Sequence, residues 1–202
     1  IGVDVATDAA GNVYILALVA GGDTGWDFTI LKYDADGQPL WDRSFNGPAG
    51  DEDWPVGLAV DANGNAYVSG TTRVALPFND DVVLIKYDPD GNDLWTRFLD
   101  GGAGGSDQAG GVALSAAGNP YVAGRFRLPG GEWQAGVHKL NSDGSDDWDA
   151  STGHPILGIP EDIHGLVLGA DGSAYVAFTG SNDVLVTRFD PTGGTAWSHR
   201  EV

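Results

Sequence analysis

The chain has 202 residues, of which 29 are acidic and 10 basic, for a formal charge of −19. That charge repels nucleic-acid phosphates and anionic membrane surfaces, and no stretch reaches the roughly 18 to 20 apolar residues that span a bilayer, so neither nucleic acid nor membrane insertion is expected. There is no cysteine, hence no disulfide or thiolate metal site, and the 32 glycines and 10 prolines sit between apolar alternations, where they mark tight turns.

The first repeat, residues 1–55, predicts strands over Val3–Thr7, Val13–Val19, Asp27–Tyr33 and Leu40–Phe45. Phe28 and Ile30 alternate with Thr29, Leu31 and Tyr33, apolar content that suits a strand covered on both faces. The second, residues 56–109, predicts Val56–Val60, Ala66–Thr71, Val82–Tyr87 and Leu94–Leu99, with Arg73–Asp81 as a loop. The third, residues 110–163, departs most: His138-Lys139-Leu140 replaces aliphatic-Lys-Tyr, and its fourth strand is expected to be weak. The fourth, residues 164–202, stops within its outermost strand; with no Met anywhere, the chain is expected to be a processed product or a piece of a longer one.

Two phrases tie these repeats together. Tyr87-Asp88-Pro89-Asp90-Gly91 leads to Trp95, and the same skeleton places Trp41 after Gly37, Trp148 after Gly144 and Trp197 after Gly193. A Gly-Asn/Ser-x-Tyr phrase lies between them, its tyrosines Tyr14, Tyr67, Tyr121 and Tyr175 spaced 53, 54 and 54 residues apart. Antiparallel strands in fours, every 50 residues or so, fit a propeller blade better than a solenoid coil of roughly 20 to 45 residues. The expected fold is all-β: β-propeller blades of four antiparallel strands, four repeats being present, within a ring that a longer chain or an oligomer completes. The recurring Trp then fills the space between neighbouring blades.

Asp61-Ala62-Asn63-Gly64-Asn65-Ala66-Tyr67-Val68-Ser69-Gly70-Thr71-Thr72 and Leu84-Ile85-Lys86-Tyr87-Asp88-Pro89-Asp90-Gly91-Asn92-Asp93-Leu94-Trp95 resemble the bacterial β-propeller repeat family whose members are called seven-bladed. The resemblance implies a secreted or cell-surface protein, with repeats set in longer multidomain chains and no shared catalytic residues. A looser likeness, in the turn Gly followed by a docking Trp, is to quinone-dependent dehydrogenase propellers, although nothing here resembles their cofactor site.

Asp-x-Asp/Asn-Gly turns such as Asp34–Gly37, Asp61–Gly64 and Asp88–Gly91 open like a calcium loop but lack the later bidentate Glu, so they are read as turns whose Asp bonds its own backbone. With strand 1 innermost, the long loops and the crossings between blades share one face. Aligned on the turn glycines, Asp53, Asp107 and Glu161 fall at one position, each three residues before a first strand, in company with Trp26, Trp54, Phe78, Trp133 and His164. Two readings stay open: the acids cap backbone amides in their own crossings, or they converge on a ligand. No catalytic residue is assigned, because the histidines and serines lie in no nucleophile or metal-protease pattern. The leading expectation is an extracellular or cell-surface binding or scaffold module offering this face to a glycan or protein. The alternatives are a glycosidase- or lyase-type enzyme using the same face and a structural array in a surface layer or fibre. No cofactor is implied; calcium is the ion the carboxylates could hold.

Overall fold

The structure is a computed structural model that describes residues 1–21, 25–75, 79–102, 104–151, 162–179 and 183–201. Blade 1 is β1 (Gly2–Thr7), β2 (Val13–Ala20), β3 (Trp26–Tyr33) and β4 (Pro39–Phe45); blade 2 is β5 (Asp53–Val60), β6 (Ala66–Ala75), β7 (Asn79–Tyr87) and β8 (Asp93–Leu99). Blade 3 is β9 (Gln108–Leu114), β10 (Pro120–Arg127), β11 (Trp133–Leu140) and β12 (Asp146–Ser151); blade 4 is β13 (Asp162–Leu168), β14 (Ala174–Thr179), β15 (Val184–Phe189) and β16 (Thr195–Glu201). Each is a separate four-stranded antiparallel meander in sequence order.

The turns form for the reason read in the sequence. Asp61 Oδ1 accepts the amides of Asn63 and Asn65, while the amide of Gly64 closes on the Asp61 carbonyl at 3.0 Å. Asp8, Asp34, Asp88 and Asp190 repeat the arrangement. Every pairing of third with fourth strand shifts register at the same step, at Lys32/Tyr33, Lys86/Tyr87, Lys139/Leu140 and Arg188/Phe189. β12 therefore forms like its counterparts, against the expectation of weakness. Lys139 holds Asp147 at 2.7 Å, and the Trp148 indole donates to the Pro191 carbonyl of blade 4.

Strand limits differ from expectation at the crossing end. β6 and β7 extend into the stretch read as a loop because Arg73 stands opposite Asp80 and bonds its carboxylate at 2.8 Å. β5 starts at Asp53, whose partner across the ladder is Thr72. The divisions drawn at 55/56, 109/110 and 163/164 thus fall just inside β5, β9 and β13.

First strands contact one another from blade to blade, β1 with β5, β5 with β9 and β9 with β13, which makes them innermost. The cores lie between blades. Tyr14, Leu16, Phe28 and Ile30 meet Leu58, Val68, Val83 and Ile85. Tyr67, Val82 and Leu84 meet Val122, Phe126 and Leu140, and Tyr121 and Val137 meet Val176, Phe178 and Phe189. Val83 and Val82 face opposite cores, so β7 is covered on both sides, as its continuous apolar run requires.

The recurring Trp seats on the turn glycine of the next blade. A Cβ built on Gly91, Gly144 or Gly193 would stand 2.8 to 2.9 Å from the ring of Trp41, Trp95 or Trp148 respectively. These glycines also have φ near +80 to +90°, so lack of a side chain serves both the turn and the seat. Trp41 Nε1 donates to the Pro89 carbonyl at 2.9 Å, joined there by Lys32 Nζ, and the Tyr14 hydroxyl reaches the Gly64 carbonyl at 2.9 Å. At the two ends the pattern is open. Trp197 is 44% exposed, against the expectation that it fills an inter-blade space, and among the described residues nothing lies within 4 Å of the Gly37 Cβ position. Val3, Val5 and Leu40 of blade 1 and Val167 and Val184 of blade 4 are exposed as well.

Candidate functional site

The meander puts the β2–β3 type of connection and the crossings at one end of the blades, opposite the Asp-turn hairpins. At this end Asp53 and Asp107 are fully buried. Asp53 Oδ2 accepts the Gly47 amide at 2.6 Å and its Oδ1 accepts the Thr72 hydroxyl at 2.5 Å. Asp107 Oδ2 accepts the Gly101 amide at 2.9 Å and its Oδ1 the Arg127 amide at 2.6 Å. Both acids therefore tie the start of a crossing to the second strand of the following blade. Asp53 opens β5 and Asp107 immediately precedes β9, closer to the strands than the sequence reading placed them. Phe78 and Glu161 lie outside the described residues.

The remaining candidates are dispersed. Trp54 is 43% exposed and lines a cleft of about 370 Å³ with Glu52, Val56, Thr71, Arg73, Asp80 and Gln108. Trp26 opens β3 beside Gly25, whose Cβ position lies 2.9 Å from Glu52 Cγ, so its strand end approaches the rim of the same cleft. Trp133 is engaged elsewhere, with the guanidinium of Arg125 4.8 Å and that of Arg127 5.8 Å from its ring. His164 Nε2 lies 2.8 Å from the Thr179 hydroxyl, across the β13–β14 ladder.

A second group joins Asp107 to two acids that were not singled out as site candidates from sequence. One carboxylate oxygen from each of Asp81, Asp100 and Asp107 lies within 4.8 Å of the other two, and such a cluster could hold a metal ion. Asp81 stands near the start of β7, Asp100 just after β8 and Asp107 before β9. Burial, with the charges of Asp100 and Asp80 adding, pushes the Asp81 carboxyl up to about 6. Burial outweighs two amide donors at Asp107 and, with Asp100 and Asp81 alongside, pushes it up to about 7. The repeat spacing carried the missing signal: one repeat earlier the same positions read Asp27, Asn46 and Asp53. Asp27 likewise contributes to raising the Asp53 carboxyl, although burial is the larger cause.

Four sheets of four antiparallel strands, first strands innermost and a Trp of each blade seated on the next, decide the architecture. The chain is an array of β-propeller blades. The family described as "Beta-propeller repeat" matches residues 47–76, which span the crossing into blade 2 and its first hairpin. No curated protein matches the sequence. Among solved structures, the chain is similar to a protein of unknown function from Dyadobacter fermentans DSM 18053, at TM-score 0.62 and 9% identity over 98% of this chain and 67% of that one. A thermostable family-43 glycoside hydrolase gives TM-score 0.54 and 13% identity over 94% of this chain and 68% of that one. An apocarotenoid oxygenase of Synechocystis gives TM-score 0.50 and 10% identity over 94% and 46%. At these identities the likeness is one of propeller fold.

Proposed function

We propose that the propeller array is a binding or scaffold module of an extracellular or cell-surface protein, and that its crossing rim takes a glycan. The observation that carries this reading is the Trp54 cleft, where an exposed indole is bordered by Glu52, Arg73, Asp80 and Gln108. A flat aromatic face stacks on the apolar face of a sugar ring, while carboxylates and an amide around it bond hydroxyls. Arg73 bonds both Asp80 and Asp51 at 2.8 Å, which holds these polar groups in place before a ligand arrives. The repeat resemblance supports the extracellular placement. The open ends, Trp197 on one side and Gly37 on the other, support completion by further blades from a longer chain or by a second copy.

The test is titration of a glycan panel followed by Trp fluorescence, with product analysis on the same samples. Saturable binding without turnover, lost in Trp54→Ala, is expected. Turnover of a bound glycan would favour the glycosidase or lyase alternative, and absence of binding throughout would favour a structural array or a protein ligand.

A further inference from the structure

We propose that Asp81, Asp100 and Asp107 form a site for one calcium ion at the crossing between blades 2 and 3. The proposal is independent of the glycan reading. All three donors are carboxylate oxygens, which select hard divalent cations over those that prefer nitrogen or sulfur. Oxygens sharing one calcium at about 2.4 Å can stand up to about 4.8 Å apart, and the three lie within that limit. Calcium accepts irregular sets of six to eight oxygens, whereas magnesium demands a near-ideal octahedron. Asp100 is exposed and lines a cavity of about 170 Å³ with Gly101, Phe126, Gln134 and His138, so water can reach the cluster to complete the shell.

Acidic groups converge on many surfaces without binding anything; the distinguishing feature here is Asp81. Its residue is only 8% exposed, and its Oδ1 is buried without a hydrogen-bond partner among the described residues. A buried carboxylate oxygen without a donor, beside the like charges of Asp100 and Asp80, is unfavourable, and a cation removes that cost. Asp107 is held in position by the amides of Gly101 and Arg127, and Asp100 Oδ1 by the Gly102 amide at 2.8 Å. Asp107 and Asp100 are thus held by main chain before any ion binds, and each of their bonded oxygens retains a second lone pair for a metal.

The repeat supplies an internal comparison. At the previous crossing Asp27 and Asp53 recur but Asn46 stands where Asp100 would be, and in the third repeat Gln134, opposite Phe126 as Asp81 is opposite Thr72, takes the position of Asp81. Only the second crossing has all three carboxylates. Asn46 is exposed, as Asp100 is, so an acid can be introduced there without opening the core.

The experiment uses the full chain, stripped with chelator, in isothermal titration with calcium chloride and in thermal melts, with no glycan present. One calcium per chain is expected, and the melting temperature should rise by about 5 to 10 °C at roughly a hundred times Kd. Asp100→Asn, which keeps an acceptor for the Gly102 amide, should weaken calcium binding roughly tenfold or more. Asp90→Asn, which removes the same charge from an exposed turn, should leave it unchanged. Asn46→Asp should add a weaker second equivalent. The proposal is overturned if the wild-type chain shows no calcium response, if Asp100→Asn and Asp90→Asn weaken binding equally, or if magnesium matches calcium.

Discussion

The Trp-on-Gly seat can be isolated by adding one methyl group at two equivalent positions. Gly37→Ala and Gly144→Ala both place a side chain at a left-handed φ, +79° and +85°, for which an L-residue pays roughly 1 to 2 kcal/mol. Beyond that the sites differ. At Gly37 the new Cβ meets none of the described residues within 4 Å, whereas at Gly144 it falls 2.9 Å from Trp95 Cδ2 and 3.1 Å from both Cε2 and Cγ. Carbon contacts settle near 3.5 to 4.0 Å, so the indole must withdraw by about half an ångström or more. Withdrawal loosens its edge contact with Tyr67, at 5.9 Å between centroids, and its 3.3 Å bond to the Ser142 carbonyl. Overpacking of this kind costs about 1 to 3 kcal/mol, so Gly144→Ala should lose that much more than Gly37→Ala. Urea-denaturation midpoints at unchanged slope measure the difference. Repeating the pair in a Trp95→Ala background should abolish it, because the clashing ring is gone. Equal losses at the two glycines, or a difference that survives removal of Trp95, would refute the seat.

Four further outcomes follow from the same contacts. Trp95→Ala should cost about 3 kcal/mol, the low end of the range for removing a large core ring since Trp95 is only partly buried, while Trp197→Ala should cost well under that; denaturation midpoints compare them. Tyr14→Phe removes the hydroxyl bond from blade 1 to the Gly64 carbonyl and should lower stability by about 1 kcal/mol in the same assay. Trp54→Ala should abolish glycan-dependent fluorescence quenching yet leave the melting temperature nearly unchanged, because the ring is exposed. Burial holds the His138 imidazole below its ordinary value, against the opposing charges of Asp149 and Asp146. A base depressed on folding gives stability that is full above the unfolded pKa near 6.5 and is lost as pH falls below it. His138→Gln should therefore flatten the fall in stability between neutral and mildly acidic pH; an unchanged slope would show that the imidazole titrates freely.

The blades were legible because each repeat writes its own turn chemistry: Asp61, Asn63 and Gly64 specify a hairpin without help from distant residues. Periodicity likewise announced the inter-blade Trp, since the same Gly-to-Trp interval recurs. Strand ends were less legible, because the Arg73–Asp80 pair that extends β6 and β7 forms only once the two strands face each other. At the crossing face, sequence spacing brought out Asp53 and Asp107 but could not tell exposed acids from buried ones. Their burial depends on Gly47, Thr72, Gly101 and Arg127, contributed by separate segments. Asp81 and Asp100 were not joined to Asp107 from sequence because one lies near the start of β7 and the other just beyond β8, and only the meander brings the three together. Trp54 and Trp133 look alike in sequence, yet one borders an open cleft and the other is flanked by arginines.

Sedimentation equilibrium of the chain and of Trp197→Ala tests most directly whether an unfilled Trp seat is what joins one blade to the next. The Trp197 face and the Gly37 face are the two halves of a contact that the array makes three times internally, through Gly91, Gly144 and Gly193. In the absence of other blades, concentration-dependent self-association is expected for the wild-type chain, with Trp197→Ala shifted toward monomer. A wild-type chain that stays monomeric at every concentration, indistinguishable from Trp197→Ala, would contradict it.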